Sequence, residues 1–291
     1  MKKGLLLISI IAFAITMNAA TVNVTPGSGT LKSAVTAASA GDILVLTNGT
    51  YAESSVKPTV AITIKAADGT QPIVTLTSRF EITKNFTIEG VKIQSTGEAI
   101  RMLTASTPYN VTVRGCELSG CPAKFIRAYT SDVTTPYIDK LTVDNCIFRM
   151  EKPAAENAPR AIEAAKAHLQ LKSAEIKNCT FDGGVNGTGR IIYFYPTDES
   201  ESAATPVQGT IEIDHCTFYN STDTRAVYSA NIDKTHITNC IFMNPEQVEG
   251  GVSFAVYGSN SYVHNCLTFN GPVKIGTGGS QAGCVNRNPI S

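Results

Sequence analysis

Apolar and polar residues alternate with a period of two along most of this chain, in short interrupted pieces. One phrase returns repeatedly: FTIEGVKI from Phe86, VTVRGCEL from Val111, LTVDNCIF from Leu141, AEIKNCTF from Ala174, IEIDHCTF from Ile211, THITNCIF from Thr235 and SYVHNCLTF from Ser261. A period of two places alternate side chains on opposite faces of a strand. In IEIDHCTF, Ile211 and Ile213 share one face and Glu212 and Asp214 the other. After His215, Cys216 and Phe218 turn inward again. The dividing position is Gly90, Gly115, Asn145, Asn178, His215, Asn239 or Asn265. Gly, Asn and His are among the residues that best tolerate positive φ. Each phrase therefore reads as strand, one left-handed residue, strand, with the chain turning between two sheets.

Successive dividing positions are 25, 30, 33, 37, 24 and 26 residues apart. A floor near 24 with occasional excess is the spacing of a solenoid coil with loop insertions. A third strand precedes each phrase: RFEI at Arg79, IRML at Ile100, IRAY at Ile126, RAIEA at Arg160, RIIYF at Arg190, RAVY at Arg225 and FAVY at Phe254. The expected fold is all-β, a right-handed parallel β-helix of about eight three-stranded coils. TLKSAVTAASAGD predicts a short amphipathic helix from Leu31 to about Ala38 that caps the open end of the core. ILVL, AITIK and IVTL are expected to form the first coil. At AAENAPRAIEAAKAHLQL, propensity favours a helix and repeat register a strand. Pro159 fits badly inside a helix, which favours the strand.

Composition refines this picture. Lys2 and Lys3, an apolar run from Leu5 to Ile15, and Ala19 and Ala20 read as a secretory signal peptide over residues 1–20. The run is too short for a spanning helix, so a secreted bacterial protein without a membrane span is expected. Residues 21–291 form the β-helix domain, with 21–41 as its N-terminal cap. Lys and Arg balance Asp and Glu at 24 each. Loss of the leader lysines leaves a slightly acidic chain, which argues against nucleic-acid binding. Seven N-x-S/T sequons, at Asn23, Asn48, Asn85, Asn110, Asn178, Asn186 and Asn220, read as incidental products of Asn-rich turns.

Export permits disulfides, and eight Cys is an even number. Yet Cys116, Cys146, Cys179, Cys216, Cys240 and Cys266 hold one place in the phrase, while Cys121 and Cys284 fall off it. Six in-register residues project in parallel, so they read as an inward column of free thiols acting as small hydrophobes. No short C-x-x-C spacing suggests zinc.

The stretch TLKSAVTAASAGDILVLTNGTYAES resembles the opening of bacterial parallel β-helix polysaccharide lyases of the alginate-lyase and chondroitinase-B type, family six. There a capping helix precedes P/A-G-D-x-I-x-L-x-x-G-x-Y; here Ala40, Gly41, Asp42, Leu46, Gly49 and Tyr51 match, with Leu44 standing for the Ile. The N-C-x-F phrases also resemble secreted bacterial β-helix domains of the wider pectin-lyase-like superfamily. The lyase resemblance implies a catalytic Lys and Arg on adjacent coils, an acidic polysaccharide substrate and, by that resemblance alone, calcium; no other cofactor is expected. Neither the N-G-x-x-V-K-S-like nor the L-x-x-R-H-G-like context occurs, so no catalytic residue is carried over. The N-T-D, D-D and G-H-G motifs of β-helix pectin hydrolases are absent too.

The remaining chemistry lies in the first strands. Arg79, Arg101, Arg127, Arg160, Arg190 and Arg225 share one place there by alignment, six of the nine Arg in the chain. Such a row repels itself unless anions lie along it. The chain could supply them locally through Glu81, Glu98, Glu163 or Asp223; alternatively the guanidinium forks bind the carboxylates or sulfates of an acidic glycan. Tyr193, Tyr228 and Tyr257 follow as an aromatic column, for packing, for stacking on sugars or as a base. The candidate substrate-binding residues are Arg127, Arg160, Arg190, Arg225, Tyr228 and Tyr257. His168, His236 and His264 have no partner at a telling spacing and read as surface or turn residues. Two classes of function follow: a monomeric secreted protein that binds, and as an enzyme would cleave, an acidic polysaccharide, or a non-catalytic structural or adhesive solenoid. The first requires the Arg row to be exposed and not internally paired.

Overall fold

The structure is a computed structural model that describes residues 19–122, 124–128, 137–150, 159–165, 171–184, 191–195, 207–220, 226–229, 232–243, 254–256, 260–269 and 280–287. Its strands form three sheets of eleven, eleven and seven strands, and every pairing between named strands is parallel between successive turns of the chain. This is a parallel β-helix. The first sheet holds the front halves of the phrases, such as Phe86–Glu89, Tyr109–Arg114 and Val207–Asp214. The second holds the back halves, such as Lys92–Ser95, Ile147–Arg149 and Thr217–Tyr219. The third runs through Phe80–Ile82, Ile100–Met102, Lys124–Ala128, Arg160–Ala165, Ile192–Tyr195, Val227–Ser229 and Phe254–Val256.

Each dividing residue has positive φ: 69° at Gly90, 58° at Gly115, and 52–55° at Asn145, Asn178, His215, Asn239 and Asn265. The bends also stack on one another, because Asn145 N–H donates to Lys177 O at 3.0 Å and Asn178 N–H to Asp214 O at 3.1 Å. The hydrogen-bonding ladder thus continues through the corner, and the amide of the bend residue is satisfied there.

Side chains inside the coil repeat with the strands. Ile64, Ile88, Val113, Val143, Ile176, Ile213, Ile237 and Val263 form one buried column in register. Phe148, Phe181, Phe218 and Phe242 form another, with ring centroids 5.0, 4.8 and 4.5 Å apart and nearly parallel planes. Each buried Phe contributes about 1.5–3 kcal/mol through removal from water, and each ring pair about 0.5–1.5 kcal/mol more.

All eight cysteines are free, and the six repeat thiols are buried. Each reaches back to a carbonyl of the preceding coil: Cys146 Sγ to Val113 O at 3.4 Å, Cys179 to Val143 O and Cys216 to Ile176 O at 3.6 Å. Cys284 corrects the sequence reading. It follows Gly283, whose φ is 66°, and its thiol lies 3.3 Å from Val263 O, so it continues the column. Cys121 stays outside the column, buried behind a second bend at Gly120; burial pushes its thiol up to about 12.

The capping helix spans Thr30–Ala37 and buries Leu31 and Val35 over the end of the core. Thr21–Val24 before it already pairs with Ile43–Leu46 in the first sheet. Ile43–Leu46 pairs in turn with Ile62–Ala66. Of the segments expected to share the first coil, ILVL therefore lies one coil before AITIK and IVTL, which do share one, because the chain enters the ladder earlier than expected, at Thr21. Arg160–Ala165 is a strand, as repeat register required against local propensity. The signal-peptide residues before Ala19 lie outside the described residues. Among the described residues no helix is long and apolar enough to cross a membrane.

The opening motif closes the first coils. Asp42 accepts the amides of Ala20 and Ser39, both at 2.8 Å, and these bonds hold its carboxyl below the usual range. Tyr51 is buried and donates its hydroxyl to Val24 O at 2.6 Å. At Gly49 a Cβ would lie 2.4 Å from Pro26 Cγ, so no larger residue fits. The residues that carry the lyase resemblance perform structural tasks.

Candidate functional site

The third sheet carries the arginines outward, between buried inward residues. Arg101 alternates with Ile100 and Met102, and Arg127 with Ile126 and Ala128. Strand register revises the row. Arg101 lies opposite Arg127, but its other neighbour is Glu81, not Arg79. Arg127 lies opposite Glu163, and Arg160 lies opposite Lys124. The outward column therefore runs Glu81, Arg101, Arg127, Glu163, Tyr193, Tyr228. Aligning the strands on Arg displaces the third-sheet register by three residues between the coils of Arg127 and Arg160. The missed signal is the charged or aromatic residue three places after a basic one: Lys124 to Arg127, Arg160 to Glu163, Arg190 to Tyr193, Arg225 to Tyr228.

Three glutamates bind this face together. Glu98 accepts Arg101 Nη2 at 2.8 Å and Arg127 Nη1 at 2.9 Å, with Arg79 Nη1 at 3.8 Å. Glu163 accepts Arg127 Nε at 3.0 Å and also pairs with Arg160. Glu81 pairs with Arg79 and Lys57. Burial alone would raise the Glu98 carboxyl, but hydrogen bonds from Arg101 and Arg127 outweigh it and hold the group below the ordinary carboxylate range. Glu163 is almost completely buried. The local anions foreseen in Glu81, Glu98 and Glu163 are thus in place, and the four described arginines of the row are internally paired.

The pairing does not balance the charge. Lys57, Arg79, Arg101, Lys124, Arg127 and Arg160 face Glu81, Glu98 and Glu163, six cations against three carboxylates among the described residues. Lys124 is the least comfortable cation. Burial, aided by Arg127 and Arg160, holds its ammonium below the lysine range against the pull of Glu163 and Glu98.

Arg160 also lies over the Tyr193 ring, 4.2 Å from its centroid, a cation–π contact. Tyr193 packs on Tyr228 at 5.0 Å, and both are buried. Of the candidate residues, Arg127 and Arg160 converge on Glu163, and Tyr228 takes a packing position. The partner of Tyr228 in the next strand is Ala255. Arg190, Arg225 and Tyr257 themselves lie outside the described residues. Among the described residues, no group of three or more His, Cys, Asp or Glu is placed to hold a metal ion. The calcium site implied by resemblance finds no counterpart there, and no chemistry is assigned to it.

No protein-family profile and no curated protein matches the chain. Among solved structures, it is similar to a PL6 family alginate lyase, AlyGC, with a TM-score of 0.56 at 15% identity over 94% of this chain and 39% of that one. An arginine mutant of the same lyase aligns with a TM-score of 0.54 at 16% identity, over 94% of this chain and 38% of that one. This chain thus spans well under half the length of those structures. The likeness establishes the parallel β-helix fold shared with these polysaccharide lyases.

Proposed function

We propose that the protein is a secreted β-helix protein that holds an acidic, uronate-bearing polysaccharide across the outer face of the third sheet. The reading is carried by the six cations that meet three carboxylates on that face among the described residues. Glu98 and Glu163 each hold two guanidiniums in place, and fixed forks lose little freedom when they meet a planar carboxylate. Binding therefore rests on surplus charge rather than on unpaired arginines. Arg190, Arg225 and Tyr257 remain candidate contacts of this glycan. Residues 1–20 serve as the export signal.

The same face suits β-elimination. A base takes the proton beside the uronate carboxylate, that electron pair forms the ring double bond, and the 4-linked oxygen leaves and is protonated. Lys124, whose lowered pKa enlarges its neutral fraction, suits the base. Arg160, opposite it one coil away, suits the carboxylate that must be neutralised.

The internal pairing of the described arginines favours a second reading, a structural or adhesive solenoid. Incubation with a panel of polyuronates, following both binding and ultraviolet-absorbing unsaturated products, separates the cases. Binding with product that Lys124→Ala abolishes supports cleavage. Binding without product leaves a glycan-holding protein. Neither binding nor product leaves the solenoid.

A further inference from the structure

The histidines gather far from that face. Of the four in the chain, His236 and His264 stand on the outer face of the first sheet, and His215 stands at the corner that ends one of its strands. Tyr262 lies between two of them: its ring is 4.1 Å and 14° from His236 on the neighbouring strand, and 4.3 Å and 22° from His264 two residues along its own. Both faces of Tyr262 are covered. His236 has one face on Tyr262, and its strand lies between those of Tyr262 and Glu212.

A groove of about 310 Å³ opens at this point, lined by Lys177, Glu212, Asp214, His236, Asn239 and Tyr262 with Thr238. Small-ligand sites begin near this size, roughly 300 Å³. Its polar groups are fixed in advance. Asp214 accepts Thr238 Oγ1 at 2.5 Å and Asn239 Nδ2 at 2.8 Å, and its second oxygen is 2.7 Å from His215 Nδ1. With its amide nitrogen donated to Asp214, Asn239 keeps its carbonyl oxygen as an acceptor. Glu212 is the most open carboxylate of the groove, 46% exposed and 3.7 Å from Lys177 Nζ.

We infer that this groove is a second ligand site, one that takes a neutral sugar ring. A pyranose offers an apolar C–H face and a rim of hydroxyls. The part of the His236–Tyr262 stack that lines the groove suits the first, and Glu212, Asn239, Lys177 and the Tyr262 hydroxyl suit the second. Charge selects against uronates, because Glu212 and Asp214 outnumber Lys177, which is already engaged by Glu175 and Glu212. The site does not depend on the third-sheet reading.

With four histidines, the imidazole Cε1–H signals of the protein can be resolved and assigned by single His→Ala variants. Cellohexaose, xylohexaose, mannohexaose, maltohexaose, a mannuronate hexamer and adenosine are titrated separately, each to about 10 mM. The proposal expects at least one neutral hexaose to move the His236 and His264 signals saturably. His236→Ala and Glu212→Ala should each weaken that hexaose tenfold or more, while Arg127→Ala on the other face leaves it unchanged. The inference is overturned if no neutral hexaose moves these signals, or if the uronate hexamer or adenosine moves them instead. It is overturned equally if His236→Ala, folded as wild type by circular dichroism, retains full affinity.

Discussion

Asn145 offers the cleanest test of the corner chemistry. Its φ is 52°, its side chain is exposed, and its amide donates to Lys177 O at 3.0 Å whatever residue stands there. Replacement therefore changes little except the ease of adopting the left-handed conformation. Valine at that φ costs about 1–3 kcal/mol, since its branched Cβ crowds the backbone. Alanine costs about 1 kcal/mol. Glycine adopts the angle freely but loses more chain entropy on folding, and these opposed effects leave it within about 1 kcal/mol of Asn. At Asn178 the series should be steeper by about 0.5–1 kcal/mol, because Asn178 Nδ2 also donates to Asp144 Oδ1 at 2.9 Å in an exposed setting. Urea unfolding followed by circular dichroism reads the effect. With a slope of about 3 kcal/mol per molar, a 2 kcal/mol loss moves the midpoint by about 0.7 M. Equal midpoints for Asn145→Val and Asn145→Gly, with equal slopes, would refute the idea that left-handed corners set the coil.

Other expectations follow from the side-chain ladders. Glu163→Ala should destabilise by about 2–4 kcal/mol, since it leaves Arg127 and Arg160 without their buried carboxylate. Glu89→Ala, which loses only the exposed pair with Arg114, should cost under about 1 kcal/mol, and equal urea midpoints for the two would count against the ladder. Because the Glu98 carboxyl is depressed in the fold, its stabilisation is complete above the unfolded glutamate value of about 4.3 and fades as pH falls through the lower folded value. Glu98→Gln should accordingly lose stability at pH 7 and show a shallower decline in acid than wild type; parallel acid limbs would contradict this. Thiol titration of denatured, unreduced protein should find eight reactive groups, whereas two or fewer would mean that the column is oxidised.

The corners were legible because positive φ restricts residue choice so strongly that Asn, Gly and His mark them. Cys284 escaped because Gly283 follows Asn265 by only 18 residues, and its phrase, QAGCVNR, lacks the Phe that four earlier phrases carry two places after Cys. The arginine face was half legible. Alignment by residue identity found its basic residues, but cross-strand register, which decides who meets whom, depends on insertions between strands. Lys124 gave no sign as a site residue, for its role comes from standing opposite Arg160 after a 36-residue gap. The groove beside His236 was invisible for the same reason, since 26 residues separate the rings that stack. Repetition announces the frame, whereas a site built from single residues of several coils is defined only once the coils are stacked.

The central functional claim is that surplus charge on the third sheet holds an acidic glycan, and calorimetric titration of a polyuronate tests it most directly. Wild type should bind, and added salt should weaken the binding. Arg127→Ala and Arg160→Ala, assayed well below their unfolding transitions, should each lose about 1–3 kcal/mol, one charge-assisted contact apiece. Arg287→Ala, on an exposed strand of the second sheet, should bind as wild type does. Undiminished affinity in folded Arg127→Ala and Arg160→Ala proteins, or no polyuronate binding at all by wild type, would contradict the account.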